Sequence, residues 1–509
     1  MPDPNTPVII GVGQSSDRLD AADYHAWSAT QLAEQAARAA LADAGAGAAL
    51  ASLIDTIATT RTFEDSLPAA APFGKSACLP RSLARRLGIA PAYALWVKGG
   101  GNSPQDLVTE ACARIASGQS SLALLAGAEA ISTIRHAQRT GGHLDFGDHP
   151  GGQVEDRGPG YADYVDALLE RHGADIPALA YGLAETARRA RLGLSRSAYA
   201  RQMAELFAPF AAVAHRNRRA AWDTPAWSPE ELLAVGEKNR WIASPYPLRL
   251  VARDQVNLGA AILIASVATA RSLGVPDSKL VFLHGHAQAT EKPLLQRPDL
   301  GASPAARAVV RSAMQMAGVD ANHIASFDFY SCFPIAVSNV AVDELGLLPD
   351  DPRRLTVTGG LPYFGGPGNN YAMHAIAEMV EVMRANRGSY GLIGANGGFL
   401  TKYSAGVYST EPCQWRASTA AALQDTLDAV SGVAVHEAFA GAAIIESYSV
   451  YHERGVAAYC VIVARDRDGT RCIARSDDVH AAARMMEHDA LGWTVRVESS
   501  GGVNRFRID

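Results

Sequence analysis

Positive charge is in the minority in this chain. Forty-six lysines and arginines face 52 aspartates and glutamates, a formal net charge of −6 over 509 residues, so no broadly basic face for nucleic acid is expected. Cysteine is sparse: six residues, at 78, 112, 332, 413, 460 and 472, with no Cys-x-x-Cys spacing. That pattern argues against a zinc site and against a disulfide framework. No apolar run approaches the ~20 residues of a membrane-spanning helix, and residues 1–7 lack the charged-then-apolar order of a secretory signal. The expectation is a reduced, cytoplasmic protein with no bound metal and neither nucleic acid nor membrane as a partner. What is present is an ordinary globular balance, 48% apolar and 19% charged, in a chain long enough for two or three domains.

Read in order, the pattern predicts a buried strand at 8–14, an Ala-rich helix at 27–42 and strands at 53–60 and 94–97. A glycine turn at 98–102 leads into a helix reaching about residue 117, with Asn102 or Ser103 as its N-cap. The run at 122–129 is apolar throughout and predicts a strand covered on both faces. From about 130 to 250 the texture becomes helical, after a Gly, Pro and Asp cluster at 145–160. The run His215-Arg216-Asn217-Arg218-Arg219 closes a helix there. It reads either as a solvated helix end that complements the dipole or as a phosphate site suited to arginine.

After a strand at 258–264 the opening pattern returns. Residues 281–288 echo 8–14, and 325–329 echo 53–60. The strand 355–358, its glycine-rich loop 359–368 and the helix 370–385 echo 94–117, and 390–394 echo 122–127. Four elements recurring in one order, about 270 residues apart, imply a duplicated β/α half-domain rather than a solenoid. The strand-end loops of two such halves would face one cleft. The stretch 326–334 ends a strand and begins a helical pattern, so it aims Tyr330 and Cys332 from a rigid corner. Beyond residue 412 a helix at about 417–430 precedes β-like runs at 441–451, 456–465, 470–475 and 493–498, with a helix at 478–487. That order predicts a small OB-like β-barrel, a fold name that by itself implies no nucleic-acid function.

The expected fold class is therefore α/β. The divisions are an N-terminal half over 1–275 with an inserted loop domain at about 130–250, a C-terminal half over 276–411, and an additional β domain over 412–509. The duplicated order over roughly 7–410 resembles the thiolase superfamily, a layered αβαβα fold, and within it the branch linked to sterol carrier protein. The stretches 122–130, 216–225, 254–265, 328–347 and 358–372 carry the likeness. The extra C-terminal domain looks like that of the type 1 thiolase-like proteins.

The resemblance implies acyl-CoA as substrate or ligand, no tightly bound cofactor, and a homodimer, or a monomer if the added domain blocks that interface. It also implies a changed site. The family's nucleophilic cysteine, a thiolate at a helix N-terminus, matches Gly101. Its Gly-His-Pro matches Gly365-Gly366-Pro367, and its Cys-x-Gly matches Ala395-Asn396-Gly397. Its His-Asp-Cys-Phe matches Tyr330-Ser331-Cys332-Phe333, keeping Cys332 and replacing His with Tyr. Tyrosine there is similar to the thiolase-fold aldolases of sterol side-chain breakdown, which use tyrosines for proton transfer.

The implied catalytic set is Tyr330 and Cys332, with Tyr371 and His374 as further candidates. Arg216, Asn217 and Arg218, with Gly101, Gly366 and Asn396, are the expected substrate and CoA contacts. Three readings follow: an acyltransferase-family protein that handles acyl-CoA without ordinary thiolysis, an aldolase-type lyase on a β-hydroxyacyl-CoA using Tyr330, and a non-catalytic CoA-ester binder or scaffold. The string Val-His-Glu-Ala-Phe at 435–439 imitates a thiolase motif but falls outside the duplicated core, so it is not expected to be catalytic.

Overall fold

An apolar strand needs cover on both faces, and the segment Leu122–Ala130, buried at every position, has it. It runs antiparallel to Asn257–Ser266 and parallel to Thr56–Thr59. The computed structural model describes residues 3–45, 49–67, 70–160, 166–348 and 351–508. The N-half sheet runs in the order Pro7–Ser16, Asn257–Ser266, Leu122–Ala130, Thr56–Thr59, Tyr93–Trp96, Glu155–Asp156. The C-half sheet runs Ile324–Phe329, Tyr390–Gly397, Lys402–Ser409, Phe282–Thr290. Backbone hydrogen bonds between Ile9 and Val281, at 2.9 and 3.1 Å, join the first strand of one half to the start of the other.

Helices Ser103–Ala116 and Tyr371–Ala385 lie against each other between the two sheets. Ala29–Ala44 covers the outer face of the N-half sheet and Pro304–Ala317 that of the C-half sheet. The layers are therefore αβαβα, the order that the resemblance to the thiolase superfamily implies.

One predicted strand is missing. Residues 355–358 form no ladder, although Phe327 and Phe329 donate backbone hydrogen bonds to Arg354 and Leu355. A side chain takes the ladder's place. The buried carboxylate of Asp328 accepts from the N–H groups of Val357 and Thr358, from the hydroxyls of Thr356 and Thr358, and from the Tyr371 hydroxyl, all at 2.8–3.2 Å. Charge-assisted hydrogen bonds of this kind are stronger than neutral ones, and they satisfy the backbone that a neighbouring strand would otherwise have paired.

The insertion supplies helices Ile131–Thr140, Pro177–Arg191 and Arg196–Ala214. The last domain closes into a ring of five strands: Gly441–Glu453, Val456–Arg465, Arg471–Ser476, Val503–Arg507 and Thr494–Ser500, which pairs back with Gly441–Glu453. Helix Val479–Glu487 sits between the third and fourth strands in chain order. The ring is closed by one strand, Val503–Arg507, that lies outside the predicted β runs. Two short strands of the insertion, Trp241–Ala243 and Tyr246–Pro247, extend its sheet. Helix Ala420–Asp428 packs instead on Phe282–Thr290 of the C-half. Among the described residues no helix is long and apolar enough to cross a membrane.

Candidate functional site

Strand ends and glycine turns of both halves converge on a cavity of about 630 Å³. Gly101 reaches it from the N-half. Tyr330, Cys332, Gly366 and Asn396 reach it from the C-half, and Tyr181 and Ile176 from the insertion. The five site residues expected at the ends of the core elements thus share one cavity.

The glycine turn is fixed from several sides. The Gly100 N–H donates to Asn369 Oδ1 at 2.8 Å, Asn369 Nδ2 donates to the Arg61 carbonyl at 2.9 Å, and Ser404 Oγ donates to the Asn102 carbonyl at 2.9 Å. Gly101 then stands just before helix Ser103–Ala116, whose second residue is Pro104. A Cβ placed on Gly101 would overlap the Cζ and Oη of Tyr330 and the carbonyl oxygen of Asn396. The phenol of Tyr330 therefore fills the volume that any side chain at 101 would need.

Tyr330 is held by its backbone N–H, which donates to the Gly394 carbonyl at 2.9 Å. Its hydroxyl points toward the Gly368 carbonyl at 3.5 Å, and its ring meets the Tyr371 ring edge-on, 5.4 Å between centroids. Cys332 is 7% exposed. Burial pushes its thiol up to about 12, so at neutral pH it is a thiol, which is a weak nucleophile. Asn396 Nδ2 lies 2.9 Å from the Tyr181 hydroxyl and 3.6 Å from Cys332 Sγ. The Tyr181 hydroxyl donates to the Gly398 carbonyl at 3.1 Å, and burial raises its phenol well above the ordinary value. Neutral hydrogen-bond donors and acceptors line the floor, beneath apolar walls that include Phe333, Leu361 and Phe399.

Two expected catalytic residues stand elsewhere. Tyr371 is buried, and its hydroxyl bonds to Asp328 Oδ1 at 2.9 Å and to Thr358 Oγ1 at 2.6 Å. It braces Tyr330 from behind and does not line the cavity. His374, one turn further along the helix, also lies off the cavity. Its Nδ1 meets Gln14 Oε1 at 2.7 Å, and burial, with Arg219 as the lesser cause, holds its pKa down to about 3. Both placements have one reason: helix Tyr371–Ala385 runs between the sheets, so its side chains enter the core.

The expected phosphate cluster divides. Asn217 Nδ2 donates to the Thr358 carbonyl at 3.0 Å, while Arg219 pairs with Glu378 and Glu381. Arg216 and Arg218 are exposed and do not line the cavity. The segment they occupy runs alongside the cavity-forming loop, since the Ala221 N–H donates to the Phe364 carbonyl at 2.8 Å and Thr224 Oγ1 to the Tyr363 carbonyl at 2.7 Å. His436, from the rejected motif, pairs with Asp466 at 2.8 Å and stacks on Phe439 within the added domain.

Tyr181 was not singled out from the sequence. It lies in the insertion, outside the repeat that locates the other site residues. The available signal is the spacing of Tyr181, Glu185 and Arg188, three polar residues at one-turn intervals along one helix face.

The family model described as the thiolase-like protein type 1 additional C-terminal domain matches residues 422–502. A monomeric SCP2-thiolase-like protein type 1 from Mycobacterium smegmatis, solved by crystallography, is 42% identical over 100% of both chains, with a TM-score of 0.86. This chain belongs to that family, the type 1 SCP2-thiolase-like proteins. An Ltp2–ChsH2(DUF35) aldolase shares the fold at 20% identity and a TM-score of 0.56, over 80% of this chain and 98% of that one. Acetyl-CoA acetyltransferase 1 of Arabidopsis thaliana is 29% identical over 140 residues, which span 27% of this chain and 31% of the length of that relative.

Proposed function

We propose that the cavity binds the acyl end of a coenzyme A thioester and handles it without an acyl-enzyme intermediate. One observation carries this reading: the Tyr330 phenol occupies the space of any side chain at Gly101. Gly101, at the cavity end of the turn before the helix, offers no nucleophile to activate, and the thiol that lines the cavity, Cys332, stays protonated at neutral pH. Ordinary thiolysis has no attacking group here.

Chemistry that remains available is proton transfer at Tyr330. In an aldol-type cleavage, Tyr330 acts as the general base and takes the proton of a β-hydroxyl. The Cα–Cβ bond breaks to leave a carbonyl compound and a thioester enolate, and the enolate takes a proton at Cα. Cys332 and Tyr181, both protonated, are available donors. The edge-on Tyr371 ring and the Gly368 carbonyl favour this lyase reading, because they aim the phenol into the cavity. Without turnover, the same geometry makes the protein a CoA-ester binder. Arg216 and Arg218 supply exposed charge for the phosphates, beside the loop that forms one wall. A monomer is the proposed state, as in the M. smegmatis relative. The outer strand Tyr93–Trp96 of the N-half sheet is paired over Leu95 and Trp96 by its own chain at Glu155–Asp156, an exposed acidic pair that disfavours a second copy on that edge.

Titration calorimetry with CoA and a panel of acyl-CoA esters, followed by intact-mass analysis, tests the reading. Saturable binding without an acyl adduct is expected, with weaker affinity when Arg216 and Arg218 are both Ala. Absence of binding across the panel, or an adduct mapped to the cavity, would remove it. If a β-hydroxyacyl-CoA is cleaved, Tyr330→Phe should abolish cleavage and leave binding intact.

A further inference from the structure

Helix Pro177–Arg191 of the insertion touches the cavity wall on one face and the added barrel on the other. On the cavity side it presents Tyr181, which lines the cavity, and one turn later Glu185, which lies behind the cavity wall. The Tyr181 ring stacks on Phe333, 4.3 Å between centroids. Glu185 has no exposed surface. Its carboxylate accepts from the Ile335 N–H at 2.9 Å, from the Tyr246 hydroxyl at 2.7 Å and from the Tyr199 hydroxyl. Ile335 is the second residue of the short helix Pro334–Val337, which begins directly after Cys332 and Phe333. Its N–H is one of the donors that a helix start leaves unpaired, and Glu185 is the group that satisfies it.

On the other face the barrel grips the same helix. Ser447 Oγ donates to the Leu183 carbonyl at 2.5 Å, and Arg189 pairs with both oxygens of Asp489 at 2.7 Å. A Cβ on Gly182 would overlap Ser449 Oγ and the Ser244 carbonyl oxygen. Ser449 Oγ itself donates to that carbonyl at 2.7 Å.

We infer that Glu185 is a positioning residue that locks the 332–335 turn onto helix Pro177–Arg191, and that the barrel, by clamping the far face of this helix, sets the geometry of the cavity wall carrying Cys332. The added domain then serves the site as a fixed support. This holds whatever ligand the cavity takes, so it stands apart from the thioester reading.

The Cys332 thiol is the reporter. The full-length protein is treated with iodoacetamide at one alkaline pH, and labelling of each cysteine is followed by peptide mass spectrometry. Cys112, buried in the duplicated core, reports any general loosening. Glu185→Gln keeps the shape but replaces one acceptor oxygen with a donor. Gly182→Ala wedges the helix from Ser449 of the barrel and from the Ser244 carbonyl that Ser449 holds, with Glu185 itself unchanged. Each is expected to raise the Cys332 labelling rate about tenfold, the scale of local opening on losing a buried charged hydrogen bond, with Cys112 unchanged. A parent-like Cys332 rate in Glu185→Gln overturns the positioning role, and in Gly182→Ala it overturns the barrel's part. A parallel rise at Cys112 overturns both by showing a general effect. Independently of any variant, the Ile335 amide of the unmutated protein should exchange as slowly as those of the core strands; fast exchange contradicts the proposal.

Discussion

The turn after Tyr93–Trp96 brings only backbone to the cavity, at Gly101, whereas the C-half brings the side chains of Tyr330, Cys332 and Asn396. The two halves share strand order and layer, yet their contributions are unequal, and the inequality is coupled. The phenol of one half lies where the side chain of the other would be. Restoring a side chain at 101 therefore adds no group to the cavity floor; it collides with the residue already there. The C-half also departs at its third strand position, where the Asp328 carboxylate replaces a ladder and ties 356–358 to Tyr371 behind Tyr330.

Breaking the C-half side of this comparison should cost most. Asp328→Asn turns one acceptor oxygen into a donor facing hydroxyls and N–H groups. A loss of about 3 kcal/mol in chemical denaturation is expected, since buried polar groups would be left unpaired. A change below about 1 kcal/mol would mean that the network carries little. On the N-half side, Gly101→Ala should cost about 2 kcal/mol through overpacking. Tyr330→Ala in the same chain should return a good part of that, so the double-mutant cycle should show strong coupling. Additive effects would separate the two positions and sharpen the case against a shared volume.

The effect that vanishes at neutral pH concerns the helix between the sheets. His374 has a folded pKa near 3 against an ordinary 6.5, so between these values the unfolded chain binds the extra proton. Its contribution is present in full above pH 6.5 and is lost as pH falls from 6.5 toward 3. His374→Asn should flatten the fall in stability across that window relative to the parent, as followed by thermal melts at a series of pH values. Curves of the same shape would show that the neutral imidazole contributes nothing to acid sensitivity.

Much of this was legible in the sequence because of how buried strands are written. Continuous apolar runs ending in glycine turns located both halves, and placing Gly101, Tyr330, Cys332, Gly366 and Asn396 together needed only the rule that strand-end loops share a cleft. What escaped notice depended on partners remote in sequence. Residues 355–358 read as a strand because nothing local shows that Asp328, almost thirty positions earlier, would take their hydrogen bonds. Tyr371 and His374 read as cleft residues because periodicity does not say which face of a helix meets a second sheet. Tyr181 lies in an insertion with no counterpart in the repeat, and strand Val503–Arg507 has only two apolar residues, Val503 and Phe506, three positions apart and so out of the two-residue period.

The most direct test of the central claim is a crystal structure of this protein with a bound acyl-CoA analogue. The account predicts the acyl carbonyl in the cavity beside Gly101 and the Tyr330 hydroxyl, with no bond from protein to acyl carbon. A ligand seated elsewhere, or an acyl group joined to Cys332, would contradict it.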